Sequence, residues 1–329
     1  MSIKAGLSIA LLTLAIVALI IALNTVNLPG NTYLVRSIHN SGHFPIFGVL
    51  SLLLFALTSI FLSENVGNRV WLYILAFIFS SAIGILHEFS QIIGPRDADI
   101  WDLGRDMTGA ASFLGLRMIY DGEIRDLLRD RFGRIRLLIV FMVLFLTSIN
   151  SISIVAWGGA YLYRDWNFPL ICGFESIWEN RFLNTRDADI ERSRPPENWG
   201  SSDDRHVGKV IFFSGRYPGL EIQEPYPDWT GFDFFGFEVF SEMDTTLNLT
   251  VRIEDFYHND EYADRFNRTF IIEPGFNKIS IPLDEIRLAP DTRDMDMGNI
   301  RSIHLFMAKP SKIITLYFDD FRLEKGNGQ

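Results

Sequence analysis

Cysteine is almost absent. Cys172 stands alone in a chain of 329 residues, which excludes an intrachain disulfide and any zinc site built on thiolates. A basic surface is missing too. Of the 40 acidic residues, 30 lie after residue 160, against 19 of the 30 Lys and Arg, so the net charge of -10 belongs to the C-terminal part. An acidic domain without a basic stripe repels phosphates, so no nucleic-acid partner is expected. Before residue 160 it is charge of either sign that is scarce, and what fills the chain there is long apolar runs.

The first run, Ala5–Leu23, follows a single Lys4. It is too long for a signal-peptide core, and no small-x-small site follows it, so it reads as an uncleaved span. Runs over 44–62, 70–87 and 137–162 are likewise long enough to cross about 30 Å of hydrocarbon. A fifth stretch, 103–120, is shorter and rich in Gly and Ala, and it carries Arg105, Asp106 and Arg117. Charges at mid-bilayer are costly, whereas small residues suit a helix packed tightly between others. Hydropathy alone therefore leaves four or five spans open.

The segment Glu123–Arg136 holds five arginines directly before the last run. The excess of positive charge places it in the cytoplasm, and the last span then delivers residues 163–329 to the other side. With five spans the N-terminus is cytoplasmic and the loops 24–43 and 88–106 lie outside. With four, those loops change sides.

Between the third and fourth spans lies a dense polar motif. Glu88 and Gln91 are three apart at a helix end, and Asp102, Asp106 and Gly109 repeat at four and three. Each set forms one helix face, and a short antiparallel connection carrying Arg96 brings the faces together. His43, at the start of the second span, is expected at the same level. A Glu, two Asp and a His could perform general acid–base chemistry, but the spacing shows neither a nucleophile nor a complete metal site. A salt-bridge network capping the bundle explains the same residues without chemistry.

This pattern resembles the VanZ-like family of helical membrane proteins, named after a teicoplanin-resistance protein. Glu88, Gln91, Pro95, Arg96, Asp102 and Gly109 meet its E-x-x-Q, P-x-R and D-x-x-x-N-x-x-G, and His43-Phe44 meets its earlier histidine. The likeness covers about 30–120. It departs at Asp106, where the family has Asn, and at His39-Asn40, where the family has Asp-Lys. It implies a helical bundle in which the second hairpin crosses the membrane, favouring five spans.

After Phe174 the pattern changes to strands. Leu247, Leu249, Val251 and Ile253 alternate with polar residues, and Phe270/Ile272, Ile279/Ile281, Ile303/Leu305 and Ile314/Leu316/Phe318 repeat that period. Glu273-Pro-Gly, Ala289-Pro-Asp and Lys309-Pro-Ser supply turns. Short strands with Pro and Gly turns and no helical period predict an all-β sandwich. Tyr217-Pro-Gly, Asp228-Trp229-Thr-Gly and the closing Tyr317–Leu323 resemble jelly-roll carbohydrate-binding modules and galactose-binding-like sandwiches. That likeness implies a structural calcium held by Glu175 and Asp319 between the first and last strands. Trp229 reads as a core residue. The loop Glu254–Tyr262 has the composition of a glycan-stacking surface, with Tyr257, His258, Asn259 and Tyr262 as candidate ligand-binding residues.

The expected protein is multidomain. An all-α transmembrane bundle over 1–162 precedes an all-β jelly-roll sandwich over 163–329, displayed outside the cytoplasm of a bacterial inner or plasma membrane. Its expected partners are membrane lipid and envelope glycan, with a link to envelope polysaccharide or glycopeptide resistance. It is not expected to be an enzyme. Two alternatives stand beside this: an enzyme or transporter acting on a lipid-linked envelope precursor through Glu88, Arg96 and Asp102, and a protein-interaction module of an envelope complex.

Overall fold

The computed structural model describes residues 3–26, 28–62, 69–93, 99–200 and 205–326. The chain divides into two compact units, Met1–Trp157 and Gly158–Gln329. The boundary falls five residues before the one that hydropathy suggests.

The first unit is helical: α1 Ile3–Thr25, α2 Tyr33–Ser41, α3 His43–Leu62, α4 Val70–Ile93, α5 Ile100–Ile119, α6 Gly122–Leu128 and the start of α7, Phe132–Asn167. Side-chain caps set several of the starts. The Thr32 hydroxyl accepts from Val35 N at the head of α2, and Asp99 and Asp121 do the same for α5 and α6, satisfying amides that have no partner within the helix.

Among the described residues, four helices are long and apolar enough to cross a membrane: Lys4–Leu23, Tyr33–Leu62, Val70–Gln91 and Phe132–Asn167. Their outer faces carry exposed Leu7, Leu11, Leu14, Leu137, Leu138, Phe141 and Phe145. Helix α5 is as long as a span but does not join this set, because Asp102, Arg105, Asp106 and Arg117 lie within it.

Helix α5 packs along α3 and α4, and glycines permit the approach. A Cβ on Gly109 would stand 2.0 Å from the carbonyl oxygen of Phe44, and one on Gly48 would stand 2.4 Å from the Phe113 ring. Small residues at a helix crossing let the backbones touch. Phe47, Leu50, Leu54 and Phe55 of α3 fill the interior with Leu72, Tyr73 and Ala76 of α4 and Leu114 of α5.

The second unit is a sandwich of antiparallel sheets, as the strand periodicity predicts. Its strands are β1 Leu170–Cys172, β2 Leu183–Arg186, β3 Ala188–Ser193, β4 Val207–Phe212, β5 Gly219–Gln223, β6 Phe234–Ser241, β7 Leu247–Asp255, β8 Phe266–Ile272, β9 Gly275–Pro282, β10 Ile300–Phe306 and β11 Ile314–Glu324, with a short helix α8, Leu283–Arg287. One sheet has the order β3-β4-β11-β6-β9 with β1 also on β11, and the other has β2-β5-β10-β7-β8.

Inward positions of both sheets close one apolar core that includes Val210, Phe212, Phe237, Val239, Val251, Ile253, Ile303, Leu305, Leu316 and Phe318. Trp229 is fully buried, stacked 5.2 Å from Phe235, with its indole N–H donating to the Tyr226 carbonyl at 2.8 Å. It is a core residue, as its sequence setting suggests.

Candidate functional site

Strand register builds the most developed surface of the sandwich. Asn184, Glu221, His304, Arg252 and Asn267 stand opposite one another, one from each strand of the five-stranded sheet. Two residues along, Arg186, Gly219, Phe306, Thr250 and Thr269 form a parallel row. Successive side chains alternate faces, so both rows lie on the face opposite Ile222, Ile303, Ile253 and Phe266, which enter the core. With Tyr217, Tyr262 and Arg265 these rows line a groove of about 590 Å³.

The groove joins flat apolar rings to polar groups of both signs. Tyr217 stands edge-on to Phe306 with ring centroids 5.7 Å apart, and the Arg265 guanidinium lies 5.2 Å over the Tyr262 ring. His304 Nε2 is 3.5 Å from Glu221 Oε1 and 3.8 Å from Glu254 Oε1. Glu254 also pairs with Arg252 and accepts from the Ser302 hydroxyl at 3.1 Å. Burial works against ionising Glu254, but hydrogen bonding and charge from His304 and Arg252 win and bring its carboxyl down to about 2.

Two groove residues hold buried polar atoms without a hydrogen-bond partner. They are Asn267, at both Oδ1 and Nδ2, and Arg265, at Nε. Each unmet buried group costs about 1–3 kcal/mol.

Of the four residues that sequence singles out for ligand binding, Tyr262 lines the groove and is 72% exposed. Tyr257 and Asn259 are exposed on the neighbouring loop but do not line the groove. His258 faces inward, its ring fully buried and its Nδ1 donating to the Asp264 carbonyl at 2.9 Å. The loop's charges serve its own fold. Arg293 grips Asp255 through two nitrogens at 2.5 and 2.8 Å and Asp264 at 2.6 Å. Sequence reasoning misses Arg252, Glu221, His304 and Asn267. Their alternation along each strand is visible, but their alignment across five strands requires the pairing.

Glu175 and Asp319 each have partners from this chain. Glu175 accepts from His206 N and Nδ1 at 2.9 and 3.1 Å and lies 3.6 Å from Arg192. Asp319 pairs with Arg205 Nε at 2.5 Å, and burial pushes its carboxyl up to about 7 even so. The two carboxylates share no partner among the described contacts, and both face cationic side chains. This donor chemistry does not fit a calcium held between them.

In the helical unit, α3, α4 and α5 bring together His43, Glu88, Asp102 and Asp106, all at least nine-tenths buried. His43 Nδ1 meets Asp106 Oδ1 at 2.9 Å, and its Nε2 lies 3.9 Å from Asp102 Oδ2. Asp102 also pairs with Arg105. Glu88 Oε2 accepts from Asp99 N at 3.0 Å, which ties α4 to the cap of α5. Among the described residues, Gln91 Nε2 meets His87 Nδ1 at 3.5 Å. Arg96 lies outside the described residues.

No protein-family model and no curated protein matches the chain. Solved structures resemble its second half. An exo-β-agarase aligns at 17% identity over 49% of this chain and 25% of its own, with a TM-score of 0.41. A family 11 carbohydrate-binding module from Clostridium thermocellum, solved with a β-1,3-1,4-mixed-linked tetrasaccharide, aligns at 17% identity over 49% of this chain and 96% of its own, with a TM-score of 0.38. The chain thus spans a quarter of the agarase and nearly all of the module.

Proposed function

We propose that this protein is a membrane-anchored glycan-binding protein whose sandwich takes up carbohydrate in the groove of its five-stranded sheet. The observation that carries this is the groove itself, where exposed Tyr217 and Tyr262 flank the aligned row of Asn184, Glu221, His304 and Arg252. Tyr217, Tyr262 and Phe306 offer faces and edges for the apolar side of a pyranose, and the adjacent charged groups can bind further hydroxyls.

In this reading the four apolar helices lie in a bacterial inner or plasma membrane, and α5 crosses as a fifth span shielded by α3 and α4. The N-terminus is cytoplasmic and the sandwich lies outside, facing envelope polysaccharide. The gathering of His43, Glu88 and Asp102 supports a VanZ-like bundle.

Titration calorimetry of the full chain in detergent micelles against soluble envelope and β-linked plant polysaccharides tests the proposal. Binding should fall about tenfold in Glu221→Ala, or about 1.4 kcal/mol, and similarly in Tyr262→Ala. Wild-type protein that binds no polysaccharide, or variants that bind unchanged, would refute it.

The buried cluster of the bundle also favours a second reading, action on a lipid-linked envelope precursor. Unchanged envelope phenotypes in Glu88→Ala and Asp102→Ala at normal protein levels would remove it.

A further inference from the structure

The cluster inside the helical unit has an arrangement that a capping network does not require. A ring nitrogen of His43, a carboxylate oxygen of Glu88 and one of Asp102 lie within 4.8 Å of one another. They come from α3, α4 and α5, so the donors converge from three helices on one point. His43 is oriented for this. Asp106 Oδ1 engages its Nδ1 at 2.9 Å, which leaves Nε2 turned toward Asp102 Oδ2. Metal-bound histidines are commonly oriented through their other nitrogen in this way.

The remaining contacts leave donors free. Asp102 gives Oδ1 to Arg105, while Oδ2 faces His43. Glu88 gives Oε2 to Asp99 N, while Oε1 is buried without a hydrogen-bond partner in a residue only 8% exposed. Asp106, fully buried, has an unmatched Oδ2 as well. A carboxylate oxygen left bare in a helix interior is costly. Among the described residues the cluster holds the carboxylates of Glu88, Asp102 and Asp106 against the single guanidinium of Arg105. Acidic groups thus outnumber the guanidinium, an imbalance that a bound cation reduces.

We infer that His43, Glu88 and Asp102 form a three-ligand site for a divalent transition metal, with Asp106 as the positioning residue for His43. One imidazole nitrogen with two carboxylate oxygens suits Zn²⁺ or Mn²⁺. Tetrahedral bonds of about 2.0–2.2 Å put ligand atoms roughly 3.4 Å apart, so the donors need to close by no more than about 1.4 Å. Three protein ligands leave a coordination position open. The site stands independently of the glycan reading of the sandwich.

The test uses the full chain in detergent micelles, with any affinity tag removed and the protein stripped with a chelator. It is reloaded with Zn²⁺ or Mn²⁺, passed through gel filtration and analysed for metal by mass spectrometry. Wild type should retain one ion per chain. His43→Ala and Glu88→Gln should retain none, while Glu175→Gln in the sandwich should match wild type. Asp106→Asn should bind about 10–100-fold more weakly and still reach one ion per chain at higher metal. Helical circular dichroism and monodisperse elution confirm that the variants are folded. Wild type that retains no ion, or a full ion retained in both His43→Ala and Glu88→Gln, overturns the inference.

Discussion

Replacing Gly109 with alanine adds one methyl group where two helices touch. Its Cβ would lie 2.0 Å from the Phe44 oxygen, 2.8 Å from its carbonyl carbon and 3.0 Å from its Cα. Carbon and oxygen settle at about 3.3 Å, so α3 must retreat by roughly 1 Å. No side-chain rotation helps, because all three obstructing atoms are backbone. Overpacking ordinarily costs about 1–3 kcal/mol, and this site belongs at the upper end. His43 precedes Phe44, so the same retreat stretches its 2.9 Å bond to Asp106 beyond hydrogen-bonding range. Gly104, five residues earlier on α5, has nothing within 4 Å of its Cβ position and supplies the control. In reversible SDS titration from mixed micelles, followed by circular dichroism, Gly109→Ala should lose about 3 kcal/mol. Gly104→Ala should be neutral or gain up to about 1 kcal/mol. If Gly109→Ala unfolds within about 0.5 kcal/mol of wild type, the close crossing of α3 and α5 is wrong.

Removing Arg293 should be expensive in the sandwich, since it strands Asp255, which is fully buried. Arg293→Ala is expected to cost about 3 kcal/mol, read as a lower melting temperature of the sandwich, with rapid hydrogen exchange spreading over 255–264. Glu254 sets an acid dependence. Its folded pKa of about 2 lies below the usual 4.5, so its stabilisation is complete above pH 4.5 and drains as pH falls toward 2. The full amount is about 3 kcal/mol. Glu254→Gln should flatten the stability–pH curve in that window, and an unchanged curve would show that other groups set it. In the groove, Arg252→Ala should weaken glycan binding and also destabilise the fold, because it leaves Glu254 without its guanidinium; thermal melts separate the two effects.

The strongest periodic signals translate directly into elements. The apolar runs become α1, α3, α4 and α7, and Leu247–Ile253 lies within β7. Helix α2 is not seen in advance, because Arg36, His39 and Asn40 break any apolar run. Helix α7 begins five residues before the expected span, because Arg134 and Arg136 are good helix formers even though they end the hydropathy signal. Spacing on α4 and α5 does bring Glu88, Asp102 and Asp106 together, and Asp106 stands as the partner of His43. The groove is harder to read. Polar residues alternating along one strand describe a solvated face, and only the register turns Glu221, His304, Arg252 and Asn267 into neighbours. Composition marks the loop as sticky but does not say which way a ring turns, and that of His258 turns inward.

The pairing of β1 with β11 sets Leu170 opposite Arg322 and Cys172 opposite Phe321, and Leu323 N donates to the Pro169 carbonyl at 3.0 Å. The chain therefore enters and leaves the sandwich through one doorway. A domain whose two ends meet is a portable cassette. It can be spliced before, after or into a loop of another polypeptide without cutting a strand, and fusing its ends with a short linker would allow new termini at any exposed turn. A permuted form opened at the Pro274–Gly275 turn, whose Gly275 has φ +86°, should keep the groove intact.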